Sequence, residues 1–158
     1  MKSKGNTVLL REQWNKLIPK KNFSREEALR EVKKHGYMLR FVKDQTEEIC
    51  MAAVKKNGYA LVYVKDQLPA ICMAAVKLDG DALQYVKEQT PEICMAAVKQ
   101  NGYALRYVKD QKPEICLAAV RQYGYALQYV KEQTEEIGEA AVKKNPQAVK
   151  YVEERFLN

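Results

Sequence analysis

The sequence predicts an all-α fold: an α-solenoid of six 22-residue two-helix repeats behind an N-terminal helical leader. Three observations predict it. Cys50, Cys72, Cys94 and Cys116 recur at a spacing of 22, inside EICMAAVKKNGYALVYVKDQ, AICMAAVKLDGDALQYVKEQ, EICMAAVKQNGYALRYVKDQ and EICLAAVRQYGYALQYVKEQ. A fixed period of this size marks a stacked array in which each unit buries its apolar face against its neighbours. The frame also runs past the cysteines, back to Ser24 with Ala28 in the cysteine slot and on to Thr134 with Gly138 there. The units are thus 24–45, 46–67, 68–89, 90–111, 112–133 and 134–155, one repeat domain over 24–158. Finally, every unit holds two short apolar runs separated by a glycine or proline, too short for anything but a helical hairpin.

The leader, residues 1–23, reads as a short helix near 7–18 with Leu10, Trp14, Leu17 and Ile18 on one face, ended by Pro19. Its expected place is a lid over the first unit; Trp14, the lone tryptophan, is alternatively an interface anchor. Within a unit, Thr90 is an N-cap, Pro91 takes the first helical position, and Glu92 complements the helix dipole. Ile93 to Val98 is apolar nearly all round and so expects neighbours on several sides. Lys99 suits the last turn and Gly102 is expected as a left-handed stop. A second α-helix is expected from Tyr103 to about Lys109, with Tyr103, Ala104, Tyr107 and Val108 at i, i+4 spacing. The end units are more polar: Arg30 and Glu31 replace the alanine pair, Glu139 and Gln147 replace Met and Tyr, and Pro146 replaces the glycine. Capping units need such polarity, and the chain reads as one complete domain.

No apolar run approaches the length of a membrane span, and Val8, Leu9 and Leu10 are too few for a secretory core. A cytoplasmic protein is expected, of the producing cell or, if delivered, of a host. The cysteines fit that expectation. Equivalent positions in stacked helices lie about 8–10 Å apart, beyond the Cα separation of about 7 Å that a disulfide tolerates. Zinc would need converging ligands, and the single histidine, His35, belongs to the first unit's stop. The thiols read as core residues, with no metal or cofactor implied.

Catalysis finds no machinery. His35 has no serine or cysteine placed beside it, the glycines are helix stops instead of a phosphate loop, and the recurring Glu48, Glu92, Glu114 and Glu136 suit helix N-termini. The chain reads as not an enzyme. Its net charge of +7 lies mostly in the leader, where Lys2, Lys4, Arg11, Lys16, Lys20 and Lys21 face Glu12 alone. These six residues are the nucleic-acid candidates, and the leader also suits an acidic protein partner. The lysine ladder Lys43, Lys65, Lys87, Lys109 and Lys131 is shadowed by Asp44, Asp66, Glu88, Asp110 and Glu132, so dipole complementation and solvation explain it better than a phosphate track. Two tyrosine ladders, Tyr63–Tyr85–Tyr107–Tyr129–Tyr151 and Tyr37–Tyr59–Tyr103–Tyr125, read either as rings packed between units or as stacking platforms.

Departures from the frame concentrate in unit 68–89. Leu68 replaces the threonine cap, Ala70 the glutamate, Leu78 a polar residue and Asp81 a tyrosine, while Val62 just before stands where other units have Arg, Gln or Lys. They mark either a contact patch or ordinary drift. The candidate partner contacts are Val62, Leu68, Leu78, Asp79 and Asp81, with Trp14, Lys20 and Lys21 in the leader.

PEICMAAVKQNGYALRYVKDQ resembles the DUF4116 repeat, a short helical repeat of bacteria and large viruses, over about residues 24–155. Its frame, and Lys144-Asn145-Pro146, are distantly similar to leucine-rich variant repeats, which implies a two-helix solenoid with Tyr-Ala-Leu-x-Tyr-Val replacing the leucine-rich second helix. Neither resemblance carries over a catalytic or binding residue. The expected function is a non-enzymatic protein-binding scaffold, with the family's setting in intracellular bacteria and viruses implying an effector or inhibitor that binds a target protein. The alternative is an RNA-binding protein using the basic leader and the Lys and Tyr rows. A third reading is self-association through the end faces.

Overall fold

A computed structural model describes residues 23–157. The leader helix, its lid role and the candidates Lys2, Lys4, Arg11, Trp14, Lys16, Lys20 and Lys21 lie outside the described residues. Each unit opens with a ten-residue α-helix: α1 (Arg25–Lys34), α2 (Glu47–Lys56), α3 (Pro69–Leu78), α4 (Pro91–Gln100), α5 (Pro113–Gln122) and α6 (Glu135–Lys144). One extended residue follows, then a six-residue 3-10 helix: Gly36–Phe41, Gly58–Tyr63, Gly80–Tyr85, Gly102–Tyr107, Gly124–Tyr129 and Pro146–Tyr151. A last 3-10 turn, Glu154–Phe156, follows the sixth unit. The α-helices stack in one row and the 3-10 helices in a second, giving the expected α-solenoid.

The α-helices start as their sequences dictate. The Oγ1 atoms of Thr46, Thr90 and Thr134 accept the backbone N–H of Ile49, Ile93 and Ile137 at 3.3–3.4 Å. Ser24 and Glu27 form a reciprocal capping box. Proline occupies the first turn of α3, α4 and α5, where an absent N–H leaves nothing unpaired.

The second helix differs from expectation. It is 3-10, and its inward row has a period of three: Gly102, Leu105 and Val108 are buried, while Tyr103 and Arg106 form an outer row. In a 3-10 helix residues i and i+3 eclipse, so three rows result, and the third holds buried Ala104 and half-buried Tyr107.

The glycine stop is also corrected. No described residue has a positive φ. The chain turns at the preceding residue instead, extended at φ −138° to −154° in all six units. Where that residue is Asn57, Asp79, Asn101 or Asn145, its Oδ1 accepts the N–H two residues on. Glycine is needed for close approach. A Cβ on Gly36, Gly58, Gly80, Gly102 or Gly124 would lie 2.5–2.8 Å from the carbonyl oxygen of Ala53, Ala75, Ala97, Ala119 or Ala141 in the next α-helix. Backbone rests on backbone at every one of these junctions. In the sixth unit Pro146 takes the slot, and among the described residues no further α-helix follows it.

The core runs the length of the array. In the four cysteine-bearing units Ile, Cys, Ala and Val of the α-helix meet Ala, Leu and Val of the segment that follows, all fully or nearly fully buried. Ala28, Val32, Met38, Leu39 and Val42 in the first unit and Ile137, Ala141 and Ala148 in the last continue this core. Between units, a glutamine ladder satisfies the polar backbone that this packing leaves. Gln111 Nε2 donates to Leu105 O at 3.2 Å and to Tyr129 O at 2.9 Å, while its Oε1 accepts Lys131 N–H at 3.0 Å. Gln45, Gln67 and Gln89 make the same bridge to the next unit, and Gln133 reaches Tyr151 and Glu153. Each bridge pins a 3-10 helix end to its neighbour's, where unpaired carbonyls would otherwise be costly.

Candidate partner-binding face

The cysteines lie beneath the surface. All four are free and buried, and each Sγ lies 3.6–3.8 Å from the Oε1 of the glutamine five residues before it. Burial pushes all four thiols up, Cys116 to about 11. A thiol held protonated in an apolar core is a poor nucleophile and a poor ligand. Among the described residues no cluster of three His, Cys, Asp or Glu side chains is arranged to hold a metal ion.

The expected lysine ladder is a structural device. Lys65, Lys87, Lys109 and Lys131 each donate Nζ–H to the backbone carbonyl of the ladder lysine one unit earlier, at 2.6, 2.9, 3.0 and 2.9 Å. Dipole complementation and solvation were expected to account for these lysines; the shadowing carboxylates form no ion pair with them among the described residues, and the bonds run to turn carbonyls instead. These ammonium groups answer carbonyls at the turn, where a charge-assisted bond is strong.

The tyrosine ladders occupy the 3-10 row. Tyr63, Tyr85, Tyr107, Tyr129 and Tyr151 are half-buried. Tyr59 meets Tyr85, Tyr103 meets Tyr129, and Tyr125 meets Tyr151 edge-on, with centroids 5.8–6.2 Å apart. Arg106 lies over Tyr107, and Lys150 over both Tyr125 and Tyr151. The rings are joints between units.

Asp81 stands where this edge-on tyrosine would be. Its carboxylate instead accepts Arg106 Nη2 at 2.8 Å and Asn101 Nδ2 at 3.1 Å, both in the following unit. Asp79 caps the 3-10 helix through Asp81 N–H at 3.0 Å. Both aspartates are engaged within the array and half-buried, which accounts for them without a partner. The apolar candidates are exposed as expected: Val62 47%, Leu68 43% and Leu78 48%. They do not form one patch, however. Val62 is on the 3-10 row, and Leu68 and Leu78 bracket α3, about 15 Å apart at 1.5 Å per residue.

What the sequence reading missed is the outer face of the α-row. Leu29, Met51, Met73, Met95 and Leu117 form a half-buried line across five units, and Ala52, Ala74, Ala96, Ala118 and Ala140 run beside it. Along its edge Lys33, Lys55, Lys77, Lys99, Arg121 and Lys143, one per α-helix, are all exposed. The stripe opens into shallow hollows, one of ≈ 440 Å³ between α1 and α2 and one of ≈ 540 Å³ between α5 and α6. The available signal was the MAAVK run itself, whose lysine looked sufficiently explained by the helix dipole.

Comparison with known proteins gives one match. The model of the domain of unknown function DUF4116 matches residues 26–68, 70–111 and 112–157, two units to each match. No curated protein and no solved structure matches the chain. No helix among the described residues is long and apolar enough to cross a membrane. With three consecutive matches spanning most of its length, the chain belongs to the DUF4116 family.

Proposed function

We propose that the chain is a non-enzymatic scaffold that binds a protein partner on the outer face of its α-row. The observation that carries this reading is the unbroken Leu/Met/Ala stripe beside one exposed cation per unit. The core does not require methionine to remain half-exposed, whereas a docking face profits from its flexible, polarisable side chain. Repeat arrays offer long surfaces of this kind. An effector or inhibitor that works by occupying a target would need no further chemistry. The buried reduced thiols suit the reducing cytoplasm in which we expect it to act.

An RNA-binding role would draw on the Lys and Tyr rows, and two facts weigh against that use. The lysine Nζ atoms are tied to carbonyls, and the tyrosine rings meet one another edge-on between units. The test compares faces. Met73→Glu with Met95→Glu is expected to abolish capture of proteins from the native cell, with the melting curve preserved. Tyr59→Glu on the opposite row is expected to leave capture unchanged. Undiminished capture by the α-row variant would defeat the reading, as would recovery of RNA that survives about 200 mM salt.

A further inference from the structure

We infer that the face of the sixth unit that points away from the fifth pairs with the same face of a second copy about a two-fold axis, α6 lying antiparallel to α6. The surface consists of core positions left open. Leu39, Leu61, Leu83, Leu105 and Leu127 are 0% exposed, whereas Val149, in the same slot of the sixth unit, is 45% exposed. Val142 and Val152 are half-buried, in slots whose other valines are all buried. With half-buried Phe156 and exposed Leu157 they line one hollow of ≈ 460 Å³. The polar replacements of this unit do not close it. Glu139 shares the lining from an exposed position, and Gln147 Oε1 accepts the hydroxyl of Tyr125 at 2.6 Å on the 3-10 row.

Two observations exclude a further unit in the register of the array, whether of this chain or the head of another copy, as the occupant. At every interior junction a Cβ in the glycine slot would lie 2.5–2.8 Å from an alanine carbonyl oxygen of the following helix. Pro146 occupies that slot and brings such a Cβ, so the junction cannot repeat there. At the opposite end, Glu31 stands in the slot of those alanines, held by Arg30 at 3.2 Å and Lys34 at 3.3 Å. Seating this charged cluster on Val142 and Val149 would strip it of water with no new partner, which is unfavourable.

The face is complementary to itself. Helix α6 opens with Glu135, carries Glu139 and ends with Lys143 and Lys144, all exposed. These four make no ion pair among the described residues. A second α6 running antiparallel sets Glu135 and Glu139 opposite Lys143 and Lys144 of the second copy, with the two helix dipoles opposed. A two-fold contact of this kind closes as a pair and cannot grow. A ten-residue helix is about 15 Å long. Two packed rows are about 16–20 Å deep, so about 300 Å² a side meets. Stable complexes bury about 800 Å² a side, so this pair is weak and forms only as concentration rises.

Sedimentation equilibrium of the full chain, from micromolar to millimolar concentration, tests the inference. The apparent mass is expected to rise from 18.2 kDa towards twice that value and no further. Val149→Lys with Leu157→Lys is expected to weaken pairing by about tenfold or more with the melting curve preserved, since both side chains are already exposed. Charge reversal gives a reading independent of that variant. Glu135→Lys with Glu139→Lys, and Lys143→Glu with Lys144→Glu, are each expected to pair about tenfold less well alone and to regain pairing when mixed. Met73→Glu with Met95→Glu is expected to leave pairing unchanged, which separates this face from the α-row. The inference is overturned by a monomer throughout the range, by growth beyond the dimer, or by undiminished pairing of the folded double-lysine variant. Failure of the mixed charge variants to associate, or loss of pairing in the α-row variant, overturns it equally.

Discussion

Single atoms set the geometry of this array. At Gly80 a Cβ would sit 2.5 Å from Ala97 O and 3.0 Å from Gln100 Oε1, and the first of these is backbone that cannot rotate away. Gly80→Ala should therefore push two units apart and cost about 1–3 kcal/mol, the usual penalty for overpacking. Gly138 provides the contrast. A Cβ there meets nothing closer than Val152 Cγ1 at 3.7 Å, and it lies inside α6, where alanine is favoured over glycine by about 0.5–1 kcal/mol. Thermal unfolding of the two variants should move in opposite directions. A neutral Gly80→Ala would remove the close-approach account of the glycines. The same residue type thus serves two purposes in one chain, and nothing in the letters alone tells them apart.

Much at the element scale was readable before any coordinates. Thr90-Pro91-Glu92 states a helix start, and the start is where it says. The α-helix then buries Ile93, Cys94, Ala97 and Val98 as its apolar run requires. The 3-10 segment was misread because six residues cannot separate a period of 3.0 from one of 3.6. Gln111 escaped notice because its partners, Tyr129 and Lys131, lie a unit away in sequence and contribute backbone atoms, which carry no residue signature. Its importance is open to test. Gln111→Ala would leave the Leu105 and Tyr129 carbonyls and the Lys131 N–H without this partner. We expect a loss of about 1–3 kcal/mol, the desolvation cost of unpaired polar groups, measured by chemical denaturation. A change within error would mean that water replaces the side chain freely. The line of lysines and methionines proposed as a docking face was hidden for a different reason. Its lysines are at helix C-termini, where the dipole supplies a sufficient explanation one helix at a time; only the stacked row shows them as a line beside the methionines.

For the whole molecule, the period found in the sequence has the force of a construction rule. Each unit touches its neighbours through equivalent atoms: glycine to carbonyl, glutamine to backbone, lysine to carbonyl. Deleting residues 90–111 should bring Gly80 onto Ala119 and Gln89 onto Tyr129 in the contacts that Gly102 and Gln111 now make. We expect a folded, shorter array with unchanged mean residue ellipticity and a lower melting temperature, since one interface is lost along with the Asp81–Arg106 pair. Deleting 95–105, half a period, should abolish cooperative unfolding. If the 22-residue deletion proved as damaging as the half-unit deletion, the units would not be interchangeable.

The glycine-on-carbonyl junctions bear on how such a protein can change over time. Because main-chain atoms set the distance between units, substitutions on either outer face leave that distance untouched. New side chains can be tried on the α-row one unit at a time without moving those already in place. Geometry and recognition are inherited separately, so a lineage can exchange one target for another while every lysine keeps its pitch.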